Sequence, residues 1–355
     1  MPTPERPVLA GPWKLIGPNP DLSHVLPGDE AHRAAFEKGR EKEHNAAVDH
    51  HIVRDDEGTF HLWGCVRATE VGRVLYHWRS RDLEAEPWES TGEIIRADES
   101  AGESVDDWFG QEYIQSPYFV HDDGVYYMFY GGHRAGVQAD GTPVPGARAR
   151  AAAAPRPAES AGVDSTLGPG TDPSLHQICL MTSPNGRDWT RHRNADGTSR
   201  LFLGPGETRD PCVLKIGDTW YMYYAGYYDY DRPEEGAGFV VRTSTDLVSW
   251  SDWTLVHRDP QYGASRTDTE CPFVVERNGF FYLFRTVDYY YCRTLVFRSD
   301  DPFDFGVGDA SDKLVARLPC AAPELYELDG VEYVSSSHTP LEGEQLARLA
   351  WVADE

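Results

Sequence analysis

The chain has 355 residues and a formal net charge of −25, and 40% of its residues are hydrophobic, with 10 Trp and 19 Tyr among them. No window clusters Lys and Arg as a phosphate-binding surface requires, so nucleic acid and anionic membranes are excluded as partners. No stretch reaches the roughly 18 to 20 apolar residues of a membrane span, and residues 1–30 hold no signal-peptide core, which predicts a cytoplasmic protein.

In chain order, residues 1–44 begin Pro-rich and continue into an Ala-rich, charged stretch at 31–42. They read as an N-terminal lead-in segment that packs across one face of the main domain. From Asn45 the pattern changes to strand, turn, strand, with apolar residues alternating from Val48 to Gly64 around the turn glycine Gly58. The same grammar returns at 116–130, 210–226, 271–284 and 322–334. In four of the five a Pro precedes the turn glycine by about seven residues, as Pro272 precedes Gly279.

Each hairpin is followed by a second with its own recurring turn: Ser80 to Trp88, Ser183 to Trp189, Ser244 to Trp250 and Ser299 to Phe305. Asp or Asn near the start fixes the turn, and the aromatic closes over it. Four-stranded units repeating at roughly 50 to 70 residues are the sequence form of a β-propeller.

The expected fold is therefore all-β, a five-bladed β-propeller spanning 45–355 as a single domain without a C-terminal β-sandwich. The fifth unit, from about Leu318 to Trp351, displays no outer hairpin. An insertion at 133–173 in the second unit, rich in Ala, Gly and Pro, reads as a flexible surface loop, with a lid as the alternative. The six cysteines stand singly without metal-ligand spacing, and buried free thiols are expected.

In a propeller the heads of the innermost strands converge on one funnel. Blade one offers Asp49, blade three Asp210 and blade four Glu270; blade two offers Gln115 and Ser116, and blade five Pro323 and Glu324. Carboxylates crowded into one cavity push their protonation states apart, leaving one acid protonated near neutral pH while another stays ionised. Glycosidic bond cleavage uses such a pair.

These blocks, Asp49 before His50 and His51, Arg209-Asp210-Pro211, and Glu270-Cys271-Pro272, resemble the three signature blocks of glycoside hydrolase family 32 and, more loosely, its propeller relatives in families 43 and 68. The resemblance covers about residues 45–352. It implies Asp49 as nucleophile, Glu270 as general acid/base, Asp210 as transition-state stabiliser and Arg209 as a ring-hydroxyl contact. In the family 43 pattern it implies an inverting enzyme with Asp49 as base, Glu270 as acid and Asp210 tuning that acid.

Trp63 and Trp108 are candidate sugar-stacking residues, Gln115 and Ser116 candidate hydroxyl partners, and at most one of His50 and His51 faces the funnel in an alternating strand. His338 lies where family 43 members often place a channel histidine near an ion; no cofactor and no metal site follow from spacing. The expected function is hydrolysis of a small furanoside or short oligosaccharide, either β-fructofuranosidase-like or arabinofuranosidase/xylosidase-like. The alternatives are a non-catalytic propeller binding sugar or protein, and a glycosyltransfer or phosphorolysis variant of the same site, for which Arg209 and Arg285 are the candidate anion-binding residues.

Overall fold

The computed structural model of the chain describes residues 3–22, 45–104, 112–133, 176–206, 208–228, 232–337 and 342–354. Two strands, β1 (Glu5–Leu9) and β2 (Lys14–Pro18), precede the first blade. Blade one is β3 (Ala46–Arg54), β4 (Phe60–Thr69), β5 (Gly72–Ser80) and β6 (Glu89–Ile95). Blade two is β7 (Ile114–Asp122), β8 (Val125–His133) and β9 (His176–Ser183), edged by β10 (Thr190–Arg191) and β11 (Arg200–Leu203). Blade three is β12 (Arg209–Ile216), β13 (Thr219–Tyr227), β14 (Gly238–Ser244) and β15 (Thr254–His257). Blade four is β16 (Glu270–Arg277), β17 (Phe280–Asp288), β18 (Arg293–Ser299) and β19 (Leu314–Leu318). Blade five holds β20 (Leu325–Leu328), β21 (Val331–Ser337) and β22 (Gly343–Ala353).

The five antiparallel sheets form the expected five-bladed propeller. Inner strands neighbour one another around the axis, β3 beside β7, β7 beside β12, β12 beside β16, and blade five beside β3. Apolar side chains from facing sheets fill the space between blades, among them the fully buried Phe129, Tyr223, Tyr282 and Phe284. Each such side chain contributes about 1.5–3 kcal/mol by leaving water.

The recurring outer turns have a shared chemistry. The leading serine hydroxyl accepts from the backbone N–H two residues on, at 3.1 Å for Ser80, 3.2 Å for Ser183, 3.1 Å for Ser244 and 3.2 Å for Ser299. A hydroxyl satisfying a turn donor explains why Ser recurs there.

The N-terminal residues do more than lead in. β1 pairs with β22 from Glu5 opposite Ala353 to Leu9 opposite Leu349, and β2 pairs with the other half of β22. The fifth blade's missing outer strands are thus supplied by the chain start, which closes the ring. Residues 134–175, most of the blade-two insertion, lie outside the described residues. No helix among the described residues is long and apolar enough to cross a membrane.

Candidate active site

The innermost strands of blades one to four each carry one extra residue in left-handed backbone at the funnel end: Asp49 (φ 49°), Ser116 (53°), Asp210 (55°) and Cys271 (50°). Ala322 (φ 48°), just ahead of β20, adopts the same backbone. In blades one to four the strand register shifts there, between Val48 and His50, Gln115 and Tyr118, Arg209 and Cys212, and Glu270 and Phe273. Such a bulge re-aims a side chain, and for a residue with a Cβ it costs roughly 1–2 kcal/mol that the surrounding blades must offset. The repetition gives the true equivalence: Asp49, Ser116, Asp210, Cys271 and Ala322 form one ring. Glu270 stands one residue earlier, level with Arg209 and Gln115, and Ala322 takes blade five's place in the ring ahead of Pro323 and Glu324.

Hydrogen bonds tie this ring together. The Ser116 hydroxyl lies 2.7 Å from Asp210 Oδ1 and 3.3 Å from Asp49 Oδ2, and the Cys271 backbone N–H donates to Asp210 Oδ2 at 3.1 Å. Asp49 Oδ1 accepts from the Tyr289 hydroxyl and from the Cys271 thiol, the latter at 3.4 Å. Arg209 spans the two levels: Nε is 3.4 Å from Asp210 Oδ2 and Nη2 is 3.2 Å from Glu270 Oε1. Gly131, at the end of β8, allows the close approach, since a Cβ there would lie 3.2 Å from Arg209 Cα.

Burial pushes the Glu270 carboxyl up to about 8, with Arg209 pulling it down and Asp210 and Asp49 pushing it further up. Asp210 is likewise raised, first by burial and then by Asp49, against the opposing pull of Arg209. Glu270 is therefore a protonated acid at neutral pH, beside a guanidinium and within the field of two other carboxyl groups.

Two residues deeper, the strands present a second layer. His51 stacks on Tyr118 at 4.1 Å, the Cys212 thiol faces the Tyr118 hydroxyl at 3.7 Å, and His51 Nε2 is 3.6 Å from Glu324 Oε2. Burial lowers His51 to about 3 and, with Asp210 and Asp49 adding to it, raises Glu324 well above the carboxylate range. Burial thus disfavours the charged form of both groups in the layer under the carboxylates.

The structure brings Asp49, Asp210, Arg209, Glu270 and Ser116 together. Gln115 is buried beside them and accepts from Arg73 of β5. Of the two histidines the funnel-facing one is His51; His50 is 2% exposed, with Nδ1 2.6 Å from Glu344 Oε2 between blades, and meets no sugar. Trp63 is 1% exposed and stacked on His77 at 4.6 Å, so it fills the core and offers no face to a ligand. Trp108 and His338 lie outside the described residues.

Arg285 is no anion site. It is fully buried and donates to the carbonyls of Asp268, Asp259 and Gly263 and to His257 Nε2, holding the loop before β16 in place. Among the described residues one group has donors close enough to hold a metal ion, Asp49, Asp210 and Cys271, with ligand atoms within 4.8 Å of one another. Each also exchanges hydrogen bonds with Ser116, Tyr289 or its neighbour in the ring.

Tyr289 carries no signal in the sequence because it sits in a turn, eighteen residues past Cys271, where no periodicity marks it. Cys271 was legible: aligning the blades on Pro117, Pro211, Pro272 and Pro323 puts Ser116, Asp210, Cys271 and Ala322 in register.

No protein-family model and no curated protein matches the sequence. Among solved structures the chain is similar to a thermostable family-43 glycoside hydrolase, at TM-score 0.53 and 14% identity, covering 87% of this chain and 90% of that one. It is similar to an alpha-L-arabinofuranosidase from Lactobacillus brevis at TM-score 0.53 and 12% identity, covering 90% of this chain and 95% of that one. A Bombyx mori GH32 beta-fructofuranosidase matches at TM-score 0.50 and 14% identity, over 90% of this chain and 66% of the other. The chain shares their fold. The resemblance to families 43 and 32 carried by three short blocks thus extends to the architecture of the propeller.

Proposed function

We propose that the chain is a glycoside hydrolase acting on a small furanoside or short oligosaccharide. Glu270 is the general acid that protonates the leaving oxygen, and Asp49 is the opposing carboxylate, acting as nucleophile or as base toward water. Asp210 and Arg209 set the protonation and orientation of Glu270 and hold sugar hydroxyls beside it. The observation that carries this reading is the pairing of a carboxyl raised to about 8, Glu270, with Asp49, which receives hydrogen bonds on both oxygens from Tyr289, Cys271 and Ser116. An acid that keeps its proton and a carboxylate held as an acceptor are the two parts the reaction asks for. The folds of the similar structures support it, since those structures include an alpha-L-arabinofuranosidase and a beta-fructofuranosidase.

The test is the Glu270→Gln variant, assayed against methyl and aryl arabinofuranosides and xylosides and against sucrose. Loss of turnover with sugar binding retained supports the assignment, and equal turnover in both proteins removes it. The anomer released first, followed by proton NMR, separates a nucleophilic from a basic Asp49.

A further inference from the structure

The turn that delivers Tyr289 to Asp49 carries two more tyrosines. It joins β17 to β18 at the funnel end of blade four. It is closed by the Cys292 N–H donating to Tyr289 O at 3.2 Å and fixed by the Tyr291 N–H donating to Asp288 Oδ1 at 3.0 Å. Cys292 adopts left-handed backbone at φ 47°, and its thiol faces Ser337 O of blade five at 3.7 Å, tying the turn to the next sheet.

Tyr290 and Tyr291 therefore occupy the two central positions of a tight turn. Those positions ordinarily take Gly, Asn, Asp, Pro or Ser, which adopt turn backbone and are readily hydrated. Here they hold two large rings, 43% and 70% exposed, with centroids 6.3 Å apart. The Arg293 guanidinium lies 5.3 Å from the Tyr291 ring centroid and steadies it. Neither local propensity nor core packing accounts for bulky rings at this apex.

Position supplies the account. Tyr289 touches Asp49, and the Cα atoms of Tyr290 and Tyr291 follow within about 3.8 and 7.6 Å of its own along the chain. The two exposed residues thus follow directly on the one whose hydroxyl contacts Asp49. Exposed aromatic rings on a braced backbone present flat apolar faces to the C–H face of a sugar at low entropic cost.

We propose that Tyr290 and Tyr291 form a stacking platform for the sugar unit next to the one held at Asp49, so that the natural ligand is an oligosaccharide and not a simple monosaccharide glycoside. This rests on the function proposed above and adds the chain length of its substrate.

The test uses the full chain carrying Glu270→Gln, titrated calorimetrically with arabinotriose, xylotriose and 1-kestose and with the matching monosaccharides. The tightest trisaccharide is expected to lose about tenfold in affinity when Tyr290→Ala and Tyr291→Ala are added, with monosaccharide affinity held. Tyr290→Phe with Tyr291→Phe keeps the rings and restores most of the loss, which separates stacking from a folding defect. Trisaccharide affinity unchanged by the alanine pair, or no trisaccharide bound more tightly than its monosaccharide, overturns the platform. The two readings fail separately. Ring-dependent trisaccharide binding by a chain that hydrolyses nothing keeps the platform and removes the hydrolase. Hydrolysis that depends on Glu270, with affinity independent of chain length, does the reverse.

Discussion

The Ser116 hydroxyl stands 2.7 Å from Asp210 Oδ1, so blade two supplies the proton donor for a blade-three carboxyl that burial holds above its ordinary range. Removing that donor weakens the ionised form of Asp210 relative to the protonated one. Ser116→Ala is expected to raise Asp210 further and to move the acidic limb of the pH–rate profile toward neutrality. A hydrogen bond to a charged group is worth about 1.5–3 kcal/mol, so kcat/KM should fall roughly tenfold to a hundredfold. The profile of kcat/KM against pH for the two proteins checks this, and an unmoved acidic limb would contradict it.

Arg209 opposes the effects that raise Glu270 to about 8. The general acid must be protonated, so wild-type activity is expected to persist through neutrality and to fall as pH rises through about 8. In Arg209→Met the opposing charge is gone, Glu270 keeps its proton to higher pH, and the alkaline limb moves up by about one unit or more. Because Asp210 loses the same partner, the acidic limb moves in the same direction. An alkaline limb that moves down would mean that a different group titrates there.

Legibility in the sequence tracks which interactions are local. The five inner hairpins were legible because their strands alternate around turn glycines, and Asp49, Asp210 and Glu270 because they head those strands. The bulge was hidden: the shared proline aligns Cys271 with Asp210, but only the register shift shows that both are displaced from the strand ladder. Trp63 was misplaced because a tryptophan in a strand carries no mark of which face it takes, and here the neighbouring ring of His77 claims it. The outer strands of blade five could not be found by repeat, since they come from the opposite end of the chain.

Tyr289 reaches Asp49 from a turn, and its hydroxyl, bonded to that carboxylate, is expected to position it for the proposed reaction. In Tyr289→Phe the ring stays and the donor is lost. The expected result is a fall in kcat of roughly tenfold to a hundredfold with KM nearly unchanged, because a bond made to the reacting carboxylate matters most in the transition state. Steady-state kinetics together with an unchanged thermal midpoint check the assignment. A rise in KM at constant kcat would place Tyr289 on the substrate instead.

Ring closure rests on β1. Beyond its pairing with β22, the Tyr282 hydroxyl donates to Glu5 O at 2.8 Å, and Arg277 of β16 is 2.6 Å from Glu5 Oε2. The last strand pair is therefore pinned to blade four as well as to blade five. Deleting residues 1–12 strips the outer edge of β22 near Trp351 and removes the Glu5 partner of the buried Tyr282 hydroxyl, while Arg277 keeps its ion pair with Glu332. The lost contacts and strand ladder together are expected to cost about 4 kcal/mol, which in a chain of this length lowers the thermal midpoint by about 5 °C. Glu5→Ala alone removes the ion pair and leaves the backbone ladder, so it should give only a fraction of that shift. A truncated chain melting at the full-length temperature would mean that the propeller closes without its first strand.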